Sequence, residues 1–270
     1  MRLSDLFGAE KAVIGMVHLL PLPGSPGWGG SMDAVLHRAV SDARTWAEGG
    51  AHALIVENFG DVPFLPGRVE PHTVAAMSLA ARSVRDAAGL PVGVNVLRND
   101  ARAALGIAAA LDLPFIRVNV HTGAMLTDQG ILEGRADETL RLRAALGISA
   151  LIFADVMVKH AVPLAPADLE RVARDTFCRG LADALIVSGA ATGEPTDLED
   201  LRRVKRAAPD APLLVGSGVG EDTIADLLSI ADAVIVGTSA KESGIAARPV
   251  SLERVRRLVE RAREPLPPGS

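Results

Sequence analysis

Short apolar runs alternate along the chain with longer segments in which apolar residues recur every three or four positions. Eight of the runs are rich in β-branched residues and nearly continuous, a pattern typical of parallel strands that are buried on both faces. They are AVIGMVHL (12–19), ALIVEN (53–58), PVGVNVL (91–97), FIRVNV (115–120), ALIFADV (150–156), ALIVSG (184–189), PLLVGSG (212–218) and AVIVGTS (233–239). The segments between them are amphipathic and predict helices.

The alternation of strand and helix, repeated eight times in 270 residues, predicts an α/β fold, a closed (β/α)8 TIM barrel. A doubly wound open sheet is the alternative, but eight evenly spaced units favour closure. The related motifs AHALIV, ADALIV and ADAVIV, at Ala51, Ala182 and Ala231, indicate repeated strand–helix units. Because no linker interrupts the pattern, we expect a single domain over residues 1–270, with 265–270 as a loose tail.

Local signals also predict where several helices begin. Asp33, Pro71 and Asp168 are typical of a first turn or an N-cap, and Thr196 with Glu199 three residues later suggests a capping box.

Composition narrows the functional classes. The net charge is −5 and no basic patch stands out, so nucleic acid is not an expected partner. Cys178 is the only cysteine, which rules out a disulfide within the chain and favours a reducing compartment. The first residues, MRLSDLFGAEK, lack the apolar core of a secretory signal, and no uncharged apolar run is long enough to span a membrane. We therefore expect a cytoplasmic protein.

Polar residues concentrate where the predicted strands end, which is the active-site face of a barrel of this kind. N-caps and tight turns account for some of them, but not for Glu57, Arg117 and Asn119, which lie within apolar strands and need partners. One possibility is a buried pair of Glu57 with Arg117. The other is a ring of residues that binds a ligand, with these substrate-binding candidates: Asn58, Asp61, Asn95, Arg98, Arg117, Asn119, His121 and Ser188.

The catalytic candidates at these strand ends are Glu57, Asp155 and His18 for proton transfer, with Lys159 as a cation nearby. Asp155 and Lys159 are four residues apart, so an ion pair that shapes the loop is an equal alternative. Lys241 is a further candidate cation. Although His18, Glu57, Asp155 and His160 are residue types that bind metals, no short ligand motif connects them, and we predict neither a metal nor a cofactor.

The seventh and eighth predicted strands each end in a glycine-containing turn. In TIM barrels these two loops frequently bind phosphate through backbone N–H groups. We therefore predict a phosphate site, formed by the residues of two triplets: Gly216, Ser217 and Gly218, and Gly237, Thr238 and Ser239.

The first strand is followed by an uncharged loop, Leu19 to Gly30, which is rich in Leu, Pro and Gly and contains Trp28. Apolar side chains in a loop need shielding from water. Because His18 precedes the loop at the barrel mouth, we expect it to cross the mouth as a lid. A contact with a second subunit is the close alternative.

Long motifs of this chain resemble the BtpA family, also called BtpA/SgcQ. They are GMVHLLPLPGSP, GGAHALIVENFGDVPF, PVGVNVLRNDARAALGIAAA, FIRVNVHTGAMLTDQGILEG, FADVMVKHAVPL, ADALIVSGAATG, VGSGV and DAVIVGTSAKESG. The resemblance implies a TIM barrel of the ribulose-phosphate-binding kind. It links one branch of the family to photosystem I biogenesis and another to sugar-uptake operons. Some members are labelled as similar to phosphoribosylanthranilate isomerase, which uses a cysteine after its first strand, where this chain has His18.

Two classes of function follow from these observations. The first is an enzyme, an isomerase or lyase that acts on a phosphorylated sugar or nucleoside-like metabolite, working as a homo-oligomer. The second is a non-enzymatic factor of the photosystem I biogenesis type that retains the barrel. The ring of polar residues favours the enzyme, because a scaffold could fill those positions with aliphatic side chains.

Overall fold

The computed structural model describes residues 3–158, 161–189 and 196–264. Its strands are β1 (Ala12–His18), β2 (Ala53–Glu57), β3 (Val92–Asn95), β4 (Phe115–Val118), β5 (Ala124–Thr127), β6 (Gly130–Glu133), β7 (Leu151–Asp155), β8 (Ala161–Pro163), β9 (Ala184–Val187), β10 (Leu213–Val215) and β11 (Ala233–Val236). Eight of them, β1, β2, β3, β4, β7, β9, β10 and β11, pair in parallel in this order, and β11 closes onto β1. The predicted closed barrel, with its eight strands, is confirmed.

The helices lie between the barrel strands, as the amphipathic segments predicted. They are α1 (Leu3–Phe7), α2 (Met32–Glu48), α3 (Pro71–Ala88), α4 (Ala101–Leu111), α5 (Ala136–Ala145), α6 (Leu169–Arg174), α7 (Leu198–Ala207), α8 (Ile224–Ile230) and α9 (Leu252–Arg263). No helix within the described residues is both long enough and apolar enough to cross a membrane.

Asp33, Pro71 and Asp168, each predicted to mark a helix start, all lie at one, with Asp33 in the first turn of α2. Pro71 is the first residue of α3, and the Asp168 side chain caps α6. The predicted capping box at Thr196 is wrong, because Asp197 caps α7 while the Thr196 hydroxyl donates to the carbonyl of Ser217. Cys178 is exposed in the turn that follows α6.

Side chains of the barrel strands alternate between two environments, because successive residues of a strand point to opposite faces. One set, which includes Ile14, Ile55 and Phe153, fills the barrel interior, and the other packs between the strands and the outer helices. Two residues further along the same strands, the inward positions become polar. Glu57 follows Ile55, and Asp155 follows Phe153, so the alternation itself aims both carboxylates toward the barrel axis near the C-terminal mouth.

The N-terminal end of the barrel is closed by α1. The Phe7 ring packs edge-on against Phe115, with centroids 5.9 Å apart, and against Phe153, at 6.3 Å. Phe115 and Phe153 stack on each other at 4.8 Å. Gly93 makes room for this cluster, since a Cβ there would lie 2.3 Å from the Phe115 ring.

A small antiparallel sheet in the order β6–β5–β8 is built from the segments after β4 and β7, and the sequence analysis did not predict it. Met125 and Leu132 on one face join a buried cluster with Val120 and Val158. The other face carries an exposed aliphatic row, because Leu126 is opposite Ile131 on one side and Val162 on the other.

The loop from Leu19 to Gly30 does not cross the mouth, and the lid prediction is wrong. Leu19 and Leu22 are buried in the cluster between the barrel and the helices, and Trp28 packs against it. The backbone N–H of Leu22 donates to the Asp61 carboxylate at 2.8 Å. The loop is therefore shielded by its own protein, and none of its residues lines the cavity at the mouth. A subunit contact through its outer face stays a prediction.

Candidate active site

A cavity of about 1080 Å³ opens at the C-terminal mouth of the barrel. Strand ends form its floor, and the loops after β2, β3, β10 and β11 form its walls, together with the turn between β5 and β6. It is lined by Met16, His18, Glu57, Phe59, Val62, Phe64, Leu97, Arg98, Arg117, Asn119, Asp128, Gly216, Ser217, Gly218, Val219, Gly220, Asp222, Thr223, Ile235, Gly237, Thr238, Ser239 and Gly244. Its position agrees with where TIM-barrel enzymes carry their active sites.

Most of the predicted site residues meet at this cavity. Those that line it are His18, Glu57, Arg98, Arg117, Asn119, Gly216, Ser217, Gly218, Gly237, Thr238 and Ser239. Those that do not line it are Asn58, Asp61, Asn95, His121, Asp155 and Ser188. Lys159 lies outside the described residues, as does His160 of the metal alternative.

Arg117 pairs with Asp155 rather than with Glu57, which corrects the pair suggested from the sequence. Arg117 Nε donates to one carboxylate oxygen at 3.0 Å, and Nη2 donates to the other at 2.9 Å. Asn119 Nδ2 at 3.1 Å and the Ser188 hydroxyl at 3.2 Å add two further donors. These four donors occupy both oxygens of the buried carboxylate. Asp155 therefore holds Arg117 in place, and its predicted role in proton transfer does not fit this geometry.

Arg117 lines the cavity, and its Nη1 is not used by Asp155. Its side chain is only 4% exposed. Burial lowers the pKa of Arg117, but the charge and hydrogen bonds of Asp155 raise it more, so that the net shift is upward. Among the described residues Nη1 has no acceptor, and its two N–H groups are available to a ligand in the cavity.

Glu57 and His18 form a second polar pair on the floor. The distance from Glu57 Oε1 to His18 Nε2 is 3.8 Å, and both side chains are about nine-tenths buried. The imidazole stacks on the Phe59 ring, with centroids 4.4 Å apart and planes 21° from parallel. Gly237 leaves space for it, since a Cβ there would lie 3.2 Å from the ring. A buried carboxylate beside an imidazole is suited to proton transfer.

Arg98 is the second arginine of the cavity. It follows β3 and is 6% exposed, and its backbone N–H donates to the carbonyl of Leu65. Burial lowers the pKa of Arg98, and the charges of Asp155, Glu57 and Asp128 oppose that shift. The three carboxylates around it therefore favour its cationic form.

Three of the predicted substrate-binding residues hold loops and strands together instead. Asn58 hydrogen-bonds Asp61 at 3.1 Å, and it bonds both the N–H and the carbonyl of Leu97. Burial raises the pKa of Asp61, although the Leu22 N–H and Asn58 act in the opposite direction. Asn95 Nδ2 donates to Asn119 at 3.0 Å beneath the cavity floor.

His121 lies away from the cavity. Its Nε2 is 2.8 Å from the carbonyl oxygen of Gly180, and the residue is almost fully buried. Burial lowers the pKa of His121, although the bond to Gly180 opposes that shift. The prediction that His121 binds substrate does not fit this position, because its imidazole is directed at Gly180 and not into the cavity.

The predicted phosphate site has the backbone groups that it needs, in part. Among the described residues, the N–H groups of Gly218, Thr238 and Ser239 have no acceptor. The Ser239 hydroxyl donates to the carbonyl of Val219 at 2.6 Å, so it does not cap these groups. Gly218 has φ 71°, which favours glycine. We call these three residues the N–H cradle.

Two members of the predicted triplets have other tasks. Gly216 donates its N–H to the carbonyl of Val187 within the barrel, at 2.8 Å. It is a glycine for lack of space, because a Cβ would lie 2.5 Å from the Ser188 hydroxyl. The Ser217 hydroxyl accepts from the N–H of Gly189 at 2.8 Å. Both residues border the cavity without offering those groups to a ligand.

Lys241 is directed away from the mouth, although it follows the cradle in sequence. Its ammonium is fully buried and donates to Asp42 of α2 at 2.7 Å. The suggestion that Lys241 assists catalysis is therefore wrong. In the described part of the chain, no group of three or more His, Cys, Asp or Glu side chains is arranged to hold a metal ion.

Sequence reasoning missed several residues of the cavity wall. Phe59, Val62 and Phe64 come from the loop after β2, and Asp128 comes from the turn between β5 and β6. The aromatic residues that follow Glu57 in sequence could have indicated this part of the wall. Nothing in the sequence indicated Asp128, because its position depends on a small sheet whose strands are short and come from two different loops.

Comparison with known sequences gives matches over almost the whole chain. A family model described as the BtpA family matches residues 9–264. The photosystem I biogenesis protein BtpA of Synechocystis is 47% identical over 266 residues, covering 98% of this chain and 93% of that protein. An uncharacterized protein of Thermococcus kodakarensis is 50% identical, covering 94% and 96%. The putative sgc region protein SgcQ of Escherichia coli is 34% identical, covering 96% and 97%.

Comparison with solved structures gives barrels of low sequence identity. Thiamine phosphate pyrophosphorylase from Pyrococcus furiosus superposes with a TM-score of 0.59 at 14% identity, covering 97% of this chain and 98% of that one. Orotidine 5'-phosphate decarboxylase from Pyrococcus horikoshii also gives 0.59, at 13% identity, covering 93% and 99%. At these identities the likeness shows the fold alone.

Proposed function

Because this chain belongs to the BtpA family, we propose that it is an enzyme that binds a phosphorylated small molecule and rearranges it by acid–base chemistry of the isomerase or lyase type. One observation carries the proposal. A single cavity brings together the N–H cradle, the buried Arg117 and the Glu57–His18 pair. A scaffold protein has no need of unsatisfied donors and buried charges in one place, because each costs folding free energy.

The N–H cradle supports phosphate as the ligand's anchor. Thr238 and Ser239 begin a short turn of 3₁₀ helix directly after β11, and Gly218 lies in the neighbouring loop after β10. Free backbone N–H groups at these two loops are the usual phosphate ligands of TIM barrels. Two structural neighbours are named for phosphorylated compounds, thiamine phosphate and orotidine 5'-phosphate, which agrees with this assignment.

Glu57 is the proposed general base. Its carboxylate borders the cavity, whereas Asp155 is surrounded by four donors behind Arg117. His18 lies beside it and close to Gly237, next to the cradle. A phosphate in the cradle would therefore bring the rest of the ligand against the Glu57–His18 pair. Of the two carboxylates weighed from the sequence, the geometry favours Glu57.

A thermal-shift screen tests the proposal. Inorganic phosphate and a set of sugar and nucleoside phosphates are added to the protein at increasing concentration. A ligand at 100 times its Kd adds about 2.7 kcal/mol of stability, which raises the Tm by about 5–10 °C for a chain of this size. Gly218→Val should abolish that shift while the unliganded protein still unfolds cooperatively.

Gly147→Val is the matched control for that variant. Gly147 also has positive φ, at 65°, and open space around it, but it lies far from the mouth, after α5. It should cost similar backbone strain and leave the ligand shift intact. If no phosphorylated compound stabilises the protein, or if Gly218→Val responds as the wild type does, the phosphate assignment is refuted.

A role in photosystem I biogenesis without catalysis is the second candidate, and the name of the Synechocystis relative favours it. A protein of this second kind would bind a partner and would not turn over any phosphorylated compound, which distinguishes it from the enzyme. We also propose a cytoplasmic location, because the chain has a single cysteine. We propose a homo-oligomer as well, because the exposed row of Leu126, Ile131 and Val162 offers an apolar surface.

A further inference from the structure

We infer that Arg117 is the residue that polarises a carbonyl oxygen of the substrate, so that the substrate class is a phosphorylated aldehyde or ketone, and that Asp155 is a positioning residue for Arg117. The inference rests on the proposed function and specifies its chemistry.

Arg117 is held in a fixed orientation. Two of its three nitrogens are bound to Asp155, at 3.0 and 2.9 Å, and Asp155 is held in turn by Asn119 and Ser188. A guanidinium is planar, so fixing the Nε–Nη2 edge also fixes Nη1. Nη1 has no acceptor among the described residues, and Arg117 lines the cavity. Such a preorganised donor in a buried place stabilises charge that develops on a nearby oxygen.

Gly216 leaves space beside this arrangement. Gly216 stands on the neighbouring side of the mouth, where a Cβ would lie 3.2 Å from Arg117 Nη2 and 2.5 Å from the Ser188 hydroxyl. Its N–H is used by the barrel and its φ is not positive, so neither backbone bonding nor conformation explains the glycine. The space is needed by its neighbours: a Cβ would also lie 2.6 Å from Ile186 Cγ2, so Gly216 leaves room for Ile186, for Ser188 and, at the edge, for Arg117.

Carboxylates outnumber the arginines around the cavity. Among the described residues, Arg117 and Arg98 face the carboxylates of Asp155 and Glu57 at the floor, and Asp128 and Asp222 line the wall. A substrate carboxylate bound at Nη1 would add a further negative charge between Asp155 and Glu57. A carbonyl oxygen adds none, and this favours an aldehyde or ketone at that position.

The proposed proton transfer moves negative charge within the cavity without changing the total charge. Glu57 takes a proton from the carbon next to the carbonyl, so that a C–H bond breaks and an O–H bond forms. The electron pair makes a C=C bond, and the carbonyl π electrons move to the oxygen, which becomes an enolate. The negative charge thus moves from Glu57 to an oxygen that Arg117 binds. Return of the proton from Glu57 to the same carbon restores the substrate, and this reversible step exchanges the carbon-bound hydrogen with solvent. Where the first carbon carries a hydroxyl, its proton can pass to the enolate oxygen; delivery of the Glu57 proton to the adjacent carbon then gives the isomeric carbonyl compound, and no oxidant or reductant is needed.

The test compares matched pairs of phosphorylated compounds on the wild-type protein in D2O. The pairs are dihydroxyacetone phosphate with glycerol 3-phosphate, and ribulose 5-phosphate with ribitol 5-phosphate. Binding is measured by thermal shift, and exchange of carbon-bound hydrogen is measured by proton NMR. We expect both members of a pair to bind, and only the carbonyl compound to exchange.

The failures of the two proposals differ in this experiment. If the phosphates bind but no carbonyl compound exchanges, the inference about Arg117 is overturned and phosphate binding stands. If nothing binds, the proposed function falls, and the inference falls with it. If 3-phosphoglycerate, which carries a carboxylate, binds much more tightly than either ketone, the carbonyl assignment is overturned in favour of a carboxylate at Arg117.

Variants then assign the roles. Arg117→Lys keeps a cation for Asp155 but loses the fixed Nη1 donor, and the exchange rate at saturation should fall by about 10²–10³-fold while binding of glycerol 3-phosphate persists. Asp155→Asn should lower kcat with little change in KM, because it loosens Arg117 without touching the ligand. Asp183→Asn is the control: it weakens a part-buried ion pair with Arg143, at 2.6 Å, away from the cavity, and exchange should be unchanged. An Asp155→Asn variant with wild-type kcat would refute its positioning role.

Discussion

Replacing Asp42 by Asn should destabilise the protein and make its free energy of unfolding depend on pH through the buried Lys241. Lys241 is fully buried, and its ammonium has one acceptor among the described residues, the Asp42 carboxylate at 2.7 Å. Asp42 also accepts from Arg38, at 3.2 Å, and from the N–H of Val250, at 2.9 Å. An asparagine can still bond Val250, so the substitution chiefly removes the charge that balances the ammonium.

The loss of unfolding free energy in Asp42→Asn has an upper limit. Breaking one side of a buried ion pair costs about 3–5 kcal/mol. The penalty for the stranded ammonium cannot exceed the cost of deprotonating it, which for a lysine of pKa about 10.4 is about 4.6 kcal/mol at pH 7. Burial already lowers the pKa of Lys241, although Asp42 raises it, and Arg38 acts in the same direction as burial. Without the Asp42 charge, the folded protein should therefore hold Lys241 neutral at pH 7.

The sign of the pH dependence follows from that protonation state. In the variant the unfolded chain binds one proton more than the folded chain between pH 7 and about 10, so stability rises with pH by up to about 1.4 kcal/mol per unit. Urea unfolding followed by the fluorescence of Trp46, which is buried one helical turn from Asp42 in α2, measures it. The chain has no tyrosine, so no phenol titrates in this range.

Two controls make the outcome decisive. Adding Lys241→Met to Asp42→Asn should remove the extra slope, because no buried amine remains. Asp86→Asn breaks exposed pairs with Arg82 and Arg85 and should leave the pH dependence unchanged. An Asp42→Asn protein with the wild-type slope would refute the reasoning, since Lys241 would then be charged and satisfied by some other route.

Two further predictions concern the loop after β1. Leu22→Ala should lower the free energy of unfolding by about 2–5 kcal/mol in urea titrations, because Leu22 is fully buried, and ligand shifts should persist; a stable variant with lost ligand binding would restore the lid hypothesis. For Asp61, burial raises the pKa, so its charge weakens the fold above that pKa and the penalty disappears as the pH falls through it. The stability of Asp61→Asn relative to wild type should accordingly rise between pH 4 and pH 7, and a constant difference would contradict the assignment.

The barrel was predictable because its signals are local and repeated. Each strand is a short apolar run, and each helix has its own periodicity, so eight independent patterns pointed to one fold. The same alternation located Glu57 and Arg117 at the mouth, since the polar residues break otherwise apolar strands. Chain order alone was sufficient for this, because every parallel strand ends at the same face.

Partnerships between side chains were less predictable than positions. Arg117 has carboxylates on either side of its strand, Glu57 on β2 and Asp155 on β7, and nothing in the sequence decides between them. The structure decides by direct pairing of β4 with β7, which places Arg117 opposite Phe153, two residues from Asp155. Glu57 is separated from it by β3. Register between strands that are distant in sequence is three-dimensional information.

The prediction that the loop from Leu19 to Gly30 crosses the mouth was wrong for a related reason. Its composition shows that it must be shielded, but not by what. Leu22 is covered because its backbone N–H bonds Asp61, 39 residues further along the chain, and because its side chain joins the buried cluster between the barrel and the helices. Exposure can be judged from composition, whereas the direction of a loop depends on which neighbour offers the better contact.

The aromatic floor under the cavity has a kinetic consequence. Phe7, Phe115 and Phe153 fill the barrel axis beneath the polar layer, so the interior is not a tunnel. A ligand that enters through the mouth has to leave by the same opening. Product release and substrate binding therefore use the same opening. A product that dissociates slowly would act as a competitive inhibitor of its own formation.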